Sequence, residues 1–122
     1  MKKILIVEDE TALRDVYSML FDFEKFKVYQ AMNGKVALKQ LKTVKPDVIL
    51  LDVLMPVMGG IEFLEAVEIK KNYPDVKVLV LSNLSDQTTR ERVESLGASK
   101  YMLKSSVAPA ELVKEVVRLL KT

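Results

Sequence analysis

Five side chains suited to metal or phosphate chemistry each follow a short apolar run in the sequence. They are Glu8 and Asp9 after the run 4–7, Asp52 after 48–51, Ser82 after 78–81 and Lys104 after 101–103. Beyond Asp52, Pro56 and the Gly59-Gly60 pair prevent a regular helix or strand from continuing. An acid between a buried strand and an irregular loop is a typical position for a reactive group in an α/β protein.

Together these groups would support phosphoryl transfer onto Asp52. Clustered carboxylates repel one another, and a hard divalent cation relieves that repulsion. Oxygen ligands without histidine or cysteine favour Mg²⁺ over zinc, and a carboxylate such as Asp52 is a known nucleophile toward phosphorus. Lys104 and the Ser82 hydroxyl would then hold the remaining phosphoryl oxygens, where charge develops in the transition state.

The elements that would position these side chains alternate between strands and helices. Predicted strands lie near 4–7, 28–31, 47–51, 76–81 and 100–104. Predicted helices lie near 13–21, 34–41, 61–72, 85–95 and 109–120, with Ser85 as the N-cap of the fourth. This alternation predicts an α/β doubly wound fold, a five-stranded parallel sheet with helices on both faces. The apolar periodicity leaves the order of the strands open.

Size and composition exclude several classes of function. The 122 residues suffice for a single domain over 1–122, and 19 basic against 17 acidic residues give a net charge of only +2. This balance argues against direct nucleic-acid binding. The lack of cysteine and histidine excludes disulfides, thiol catalysis and a Ser-His-Asp triad. The first apolar run is too short for a signal peptide or a membrane span, so we expect a cytoplasmic protein.

Several motifs follow one another at predicted strand ends. They are Glu8-Asp9, Asp52-Val53-Leu54-Met55-Pro56, Ser82, and Gly97-Ala98 leading to Tyr101 and Lys104. With these motifs the chain resembles the receiver domains of two-component response regulators over essentially its whole length. The resemblance implies the flavodoxin-like strand order 2-1-3-4-5. It also implies that Asp52 accepts a phosphoryl group from a histidine kinase or phosphotransfer protein, with self-phosphorylation and slow dephosphorylation as the only catalysis.

The same resemblance implies a Mg²⁺ site. Asp9 and Asp52 would bind the ion directly, the Leu54 backbone carbonyl would complete the protein ligands, and Glu8 would act through water. All of these donors are oxygen atoms, the ligand type that Mg²⁺ prefers. The implied site therefore agrees with the chemistry read from the residues themselves.

A conformational switch is also implied, with Ser82 and Tyr101 as the moving pair. The hydroxyl would move toward the phosphoryl group while the ring turns inward. The predicted helix over 87–95 has Val93 as its only large apolar residue, so it can shift at small cost. We expect this helix, the next strand and the last helix to bind a downstream protein target, a fused output domain or a second copy in a homodimer.

Three positions depart from the family pattern. Asn83 stands where a small residue commonly follows the hydroxyl, Ser105 stands where proline commonly follows the lysine, and Gly59 stands where an acid or amide is frequent. The Asn83 side chain would narrow the access of a phosphohistidine or of water to Asp52. Ser105 leaves open how the loop aims Lys104.

Other functions fit parts of the sequence. A small Mg²⁺-dependent phosphohydrolase with an Asp nucleophile usually needs a second acid two residues later, where Leu54 stands. A receiver-like adaptor that signals by protein contact without phosphorylation stays open because of Asn83 and Ser105, although the intact acids and Lys104 argue against it. Flavin binding would place a phosphate beside the acidic cluster 8–10, which would repel it.

Overall fold

The computed structural model describes all residues from Met1 to Thr122. Its five strands are β1 Lys3–Val7, β2 Lys27–Ala31, β3 Val48–Asp52, β4 Lys77–Ser82 and β5 Lys100–Leu103. Its six helices are α1 Thr11–Phe23, α2 Gly34–Val44, α3 Gly60–Val67, α4 Ile69–Asn72, α5 Gln87–Ser95 and α6 Pro109–Leu120. No helix combines the length and the apolar character that crossing a membrane would require.

The strands form one parallel sheet in the order β2-β1-β3-β4-β5. This arrangement confirms the predicted doubly wound fold and the 2-1-3-4-5 order. Val7 is in register with Leu51, and Ser82 with Leu103, so the carboxyl ends of neighbouring strands meet at one edge of the sheet. The strand order reverses between β1 and β3, and the crevice for a ligand in such a sheet lies at that reversal.

Strand β3 is buried along its whole length and holds the centre of the sheet. Its odd-numbered apolar residues lie in the core beneath α2, α3 and α5, and its even-numbered ones lie in the core beneath α1 and α6. Burial on both faces explains why four consecutive positions, 48–51, are apolar. Because the strand is packed on both sides, its last residue, Asp52, is fixed at the ligand-binding edge.

The third predicted helix, expected to run from 61 to 72, is in fact two helices. α3 ends at Val67, Glu68 adopts a positive φ of 50°, and the four-residue α4 follows. Packing explains the break, because Ile69 is buried against Gly97, where a Cβ atom would lie 2.5 Å from the Ile69 Cγ2 atom. The apolar pattern of a single helix cannot reveal such a contact between distant segments.

Two further boundaries also differ from the predictions. Ser85 is not the N-cap of α5, because Asp86 takes that position and its Oδ2 accepts a hydrogen bond from the Thr89 N–H at 2.9 Å. The last strand ends at Leu103, so Lys104 lies in the following turn rather than in the strand. This second difference bears on how Lys104 reaches the site.

Candidate functional site

Glu8 lies just past the end of β1 and is almost completely buried, with 2% of its surface exposed. Its backbone N–H donates to the Ala31 carbonyl at 3.1 Å, which extends the pairing of β1 with β2 by one bond. Its carboxylate accepts a bond from the Glu10 N–H at 3.0 Å and one from the Lys104 ammonium at 2.6 Å. The two bonds to the carboxylate and the one from the backbone order Glu8 without any added ligand.

Asp52 ends β3 and is also buried. Its Oδ1 accepts a hydrogen bond from the Val53 N–H at 2.8 Å, and its Oδ2 accepts one from the Lys104 ammonium at 2.9 Å. The loop beyond it is closed by a bond from the Gly60 N–H to the Val53 carbonyl at 2.9 Å. Gly60 is required there, because a Cβ atom would lie 2.3 Å from the Asp52 carbonyl oxygen.

Lys104 joins the two acids from the end of β5. Its backbone N–H donates to the Ser82 carbonyl at 3.0 Å, and a turn closed by a bond from Ser106 N–H to Leu103 carbonyl follows. The peptide bond to Ser105 is trans, as are all others in the chain. Pairing with β4 and the turn therefore direct the side chain toward the acids without a proline at 105.

The electrostatics of this cluster depend on Lys104. Burial raises the pKa of Glu8 and of Asp52 above their ordinary values, although hydrogen bonds from Lys104 act in the opposite direction. Burial alone would lower the pKa of Lys104, but its bonds to the two acids outweigh that effect and raise it. The ammonium is therefore the charge that compensates the two buried carboxylates.

A third carboxylate, that of Asp9, completes an acidic cluster. One carboxylate oxygen from each of Glu8, Asp9 and Asp52 lies within 4.8 Å of the others. Such a set of hard oxygen donors, with no nitrogen or sulfur ligand, fits Mg²⁺ better than zinc or copper. Asp9 is exposed to solvent, so an ion bound here would be accessible to a phosphate from solution.

The acids and the lysine surround one open cleft of about 310 Å³. Its lining residues are Glu8, Asp9, Glu10, Asp52, Leu54, Ser82, Asn83 and Lys104. Six of the seven site residues predicted from the sequence thus meet at this cleft, and Tyr101 is the exception. Asn83 is exposed at the cleft, where its side chain can contact an entering donor.

Ser82 and Tyr101 do not bond to each other, but both bond to the backbone of Leu84. The Ser82 hydroxyl oxygen accepts a hydrogen bond from the Leu84 N–H at 3.0 Å. The Tyr101 hydroxyl donates to the Leu84 carbonyl, and the ring is buried beneath the guanidinium of Arg90 at 5.1 Å. A displacement of Leu84 would therefore affect both members of the predicted pair.

Sequence reasoning missed two contributors to the site. The Glu10 N–H holds the Glu8 carboxylate, and the Arg14 guanidinium donates to the Glu8 backbone carbonyl at 2.7 Å. One signal was available for Arg14. A basic residue so near the start of α1 lies where the helix dipole disfavours positive charge, which suggests a specific partner.

Comparison with known proteins adds a family assignment to this geometry. The family model for the response regulator receiver domain matches residues 4–117. Among solved structures, the chemotaxis protein CheY4 of Vibrio cholerae has 30% sequence identity and a TM-score of 0.89, with 98% of each chain covered. A CheY-like receiver domain protein from Methanospirillum hungatei has 27% identity and a TM-score of 0.92, covering 99% of this chain and 94% of that one.

Curated relatives are longer than this chain. The response regulator GacA of Pseudomonas syringae is 34% identical over 118 residues, which cover 95% of this chain and 54% of the relative. A protein-glutamate methylesterase/protein-glutamine glutaminase of Treponema denticola is 37% identical over 108 residues, which cover 85% of this chain and 28% of the relative. This chain therefore spans about half of the first relative's length and less of the second.

Proposed function

The chain belongs to the response regulator receiver family of two-component systems, and from that premise we propose that Asp52 accepts a phosphoryl group in a Mg²⁺-dependent reaction. The observation that carries this proposal is the convergence of three carboxylates and the Lys104 ammonium on one open cleft. Membership of this family supports a phosphohistidine on a histidine kinase or phosphotransfer protein as the donor, and residues 1–122 contain no histidine that could take that role.

Asp52 is the nucleophile of the transfer. One of its carboxylate oxygens attacks phosphorus, a P–O bond forms, and the P–N bond breaks as the imidazole leaves with the electron pair. Asp9, Asp52 and the Leu54 carbonyl would hold Mg²⁺, with Glu8 acting through water. The bound ion would supply positive charge that offsets the repulsion between the carboxylates and the incoming phosphoryl oxygens.

Lys104 and Ser82 stabilise the charge that develops on the phosphoryl group. Lys104 exchanges its bonds with the two acids for a bond to a phosphoryl oxygen, and the Ser82 hydroxyl donates to another. In the described conformation the Ser82 oxygen accepts a bond from Leu84, so its own proton is available to the phosphoryl group. Self-phosphorylation and slow hydrolysis are the only catalysis in this proposal.

Phosphorylation then changes the surface formed by α5, β5 and α6, which is the surface that binds a partner. A dianionic group on Asp52 draws Ser82 toward it, and Leu84 transmits that displacement to Tyr101. α5 can respond because Val93 is its only buried residue. A downstream protein or fused output domain, or a second copy of the chain, binds this surface. Replacing Tyr101 or Arg90 should alter partner binding or dimerisation, and unchanged binding in both variants would refute this assignment.

A separate apolar surface supports contact with the phosphodonor protein. Val16, Met19 and Phe23 form an exposed stripe along α1, beside a groove of about 330 Å³ between α1 and α6. The groove reaches Val107 and Pro109, a few residues beyond the turn that holds the reactive lysine. A phosphodonor protein that docks in this groove would therefore contact the segment that follows Lys104 in the chain.

Intact-mass measurement tests the transfer to Asp52. Incubation with acetyl phosphate and Mg²⁺ should give a labile phosphate adduct, and Asp52→Asn or a chelator should abolish it. Asp75→Asn is the matched control, because it changes an exposed carboxylate away from the cleft and should leave the adduct intact. An adduct that persists in Asp52→Asn would place the acceptor elsewhere. Absence of any adduct with acetyl phosphate or phosphorylated kinase would favour the adaptor without phosphorylation.

A further inference from the structure

Asp9 differs from the other two acids of the cluster because no side chain or backbone group holds its carboxylate. Glu8 and Asp52 each accept bonds from Lys104 and from a backbone N–H. The Asp9 carboxylate is exposed and accepts no hydrogen bond. Its position relative to the other acids therefore depends on the backbone that carries it.

The backbone N–H and the backbone carbonyl of Glu8 are each held by one hydrogen bond, and the carbonyl belongs to the peptide unit that leads to Asp9. The Glu8 N–H donates to the Ala31 carbonyl at 3.1 Å, which is the last bond between this segment and β2. Beyond that point no strand supplies a partner for the Glu8 carbonyl. The Arg14 Nη1 atom donates to this carbonyl at 2.7 Å and is its only hydrogen-bond partner.

Arg14 is itself well anchored on α1. Its backbone N–H donates to the Glu10 carbonyl at 2.9 Å, and its carbonyl accepts a bond from the Ser18 hydroxyl at 2.8 Å. The Gln30 side chain donates in turn to Ser18 and so ties this part of α1 to β2. The guanidinium thus extends from a fixed point to the carbonyl just before Asp9.

We propose that Arg14 is a positioning residue for the metal site, which fixes the Glu8–Asp9 peptide and keeps the Asp9 carboxylate within reach of Asp52. This inference rests on the proposed function, because it assumes that the acidic cluster binds Mg²⁺. Arg14 does not line the cleft, so it acts through the backbone and not by contact with the ion or the phosphoryl group.

The two effects that Arg14 has on a bound cation are of opposite sign. Its positive charge repels Mg²⁺, so removing the charge alone would tighten binding. Its hydrogen bond orders a ligand, so removing the bond would weaken binding. The direction of the change in Mg²⁺ affinity therefore distinguishes a positioning residue from a cation that merely lies nearby.

Isothermal titration with Mg²⁺ alone, in the absence of any phosphodonor, makes this measurement. Arg14→Ala should weaken Mg²⁺ binding roughly tenfold, in the range seen when a group that orients a metal ligand is removed. Arg14→Gln is neutral but keeps an N–H donor, so it should recover part of that loss. Arg14→Met, which removes the charge and the donors but keeps much of the side-chain length, replaces Arg14→Ala if the latter does not fold. Arg118→Ala, which removes an exposed arginine from α6, is the charge-matched control and should leave the affinity unchanged.

A second readout separates positioning from general damage. Saturating Mg²⁺ should restore the rate of adduct formation with acetyl phosphate in Arg14→Ala, because only the metal affinity is changed. Mg²⁺ binding in Arg14→Ala that equals or exceeds that of the wild type, or binding in Arg14→Gln that is no tighter than in Arg14→Ala, would overturn the role of Arg14. A wild-type chain that binds no Mg²⁺ would instead refute the metal dependence in the proposed function.

Discussion

Lys104→Met should destabilise the metal-free protein strongly, because it leaves two buried carboxylates without a counter-charge. The Lys104 ammonium lies 2.6 Å from Glu8 Oε1 and 2.9 Å from Asp52 Oδ2. Methionine keeps much of the side-chain volume and removes the charge and the donors. The change therefore tests the ion pairs with little disturbance of the packing.

The burial of the three groups sets the expected magnitude. Side-chain exposure is 12% for Lys104, 3% for Glu8 and 9% for Asp52. Removing one partner of a buried ion pair typically costs about 3–5 kcal/mol. The lower end applies because the freed carboxylates can take up a proton or contact water at the open cleft. We expect a loss of about 3 kcal/mol near neutral pH.

Urea unfolding followed by circular dichroism measures this loss. With a slope of about 1.5–2 kcal/mol per molar urea, the midpoint should fall by about 1.5–2 M in the presence of a chelator. The deficit should shrink near pH 5, where a carboxylate can be protonated, and again with excess Mg²⁺, which replaces the lost counter-charge. Lys114→Met, at an exposed position on α6, should shift stability by less than about 0.5 kcal/mol.

The dependence on conditions is the decisive part of this test. A deficit of the same size with and without Mg²⁺ and at both pH values would show that Lys104 contributes packing rather than charge compensation. A midpoint equal to that of the wild type in chelator would show that the two bridges contribute nothing net. Either result would refute the account of the cleft as a charge cluster held together by Lys104.

Three further predictions concern the acids, the loop and the helix cap. Burial raises the folded-state pKa of Glu8 and Asp52 above their ordinary 4.5 and 3.8, so their contribution to stability is present below those values and is lost as pH rises through the folded pKa. The urea midpoint measured in chelator should therefore fall from about pH 4 upward, and this pH dependence should be weaker in Glu8→Gln. A midpoint that rises over the same range would contradict the prediction. Gly60→Ala should lower the free energy of unfolding by about 3 kcal/mol and slow adduct formation, because the new Cβ atom would overlap the Asp52 carbonyl. Unchanged stability in this variant would show that the loop backbone can rearrange to accept the Cβ atom. Asp86→Ala should cost about 1 kcal/mol in thermal or urea unfolding through loss of the α5 cap, and an equal cost in Ser85→Ala would contradict the assignment of the cap.

The sequence predicts the site well because buried apolar strands that alternate with helices allow few arrangements of the residues at the strand ends. The run 48–51 is apolar at every position and is bounded by Pro46 and by the Pro56 loop, which favours a short strand covered on both faces, and the structure shows such a strand. The run 4–7 before Glu8 is also apolar and forms such a strand. Once parallel strands are adjacent, polar residues after them converge without any special contact. The convergence of the acids thus follows from local patterns.

The features that the sequence does not predict depend on contacts between distant segments. The break at Glu68 follows from packing of Ile69 against Gly97, which are 28 residues apart in the chain. The choice of Asp86 over Ser85 as cap is a shift of one residue between two side chains of similar capping ability. The hydrogen bond from Arg14 to the Glu8 carbonyl requires the path of the loop between β1 and α1.

The position of Lys104 shows how a family feature can be replaced by a different local structure. In the family pattern a proline commonly follows the lysine, and Ser105 left open how the loop would aim Lys104; in the structure the ammonium bridges Glu8 and Asp52 with Ser105 in that position. The backbone N–H of Lys104 pairs with the Ser82 carbonyl, so the residue continues the ladder between β4 and β5. Ser82 is therefore fixed relative to Lys104 by the same bond. Because this bond joins the two backbones, a shift of the Ser82 backbone toward a phosphoryl group would carry the Lys104 backbone with it, whereas rotation of the Ser82 hydroxyl alone would leave Lys104 in place.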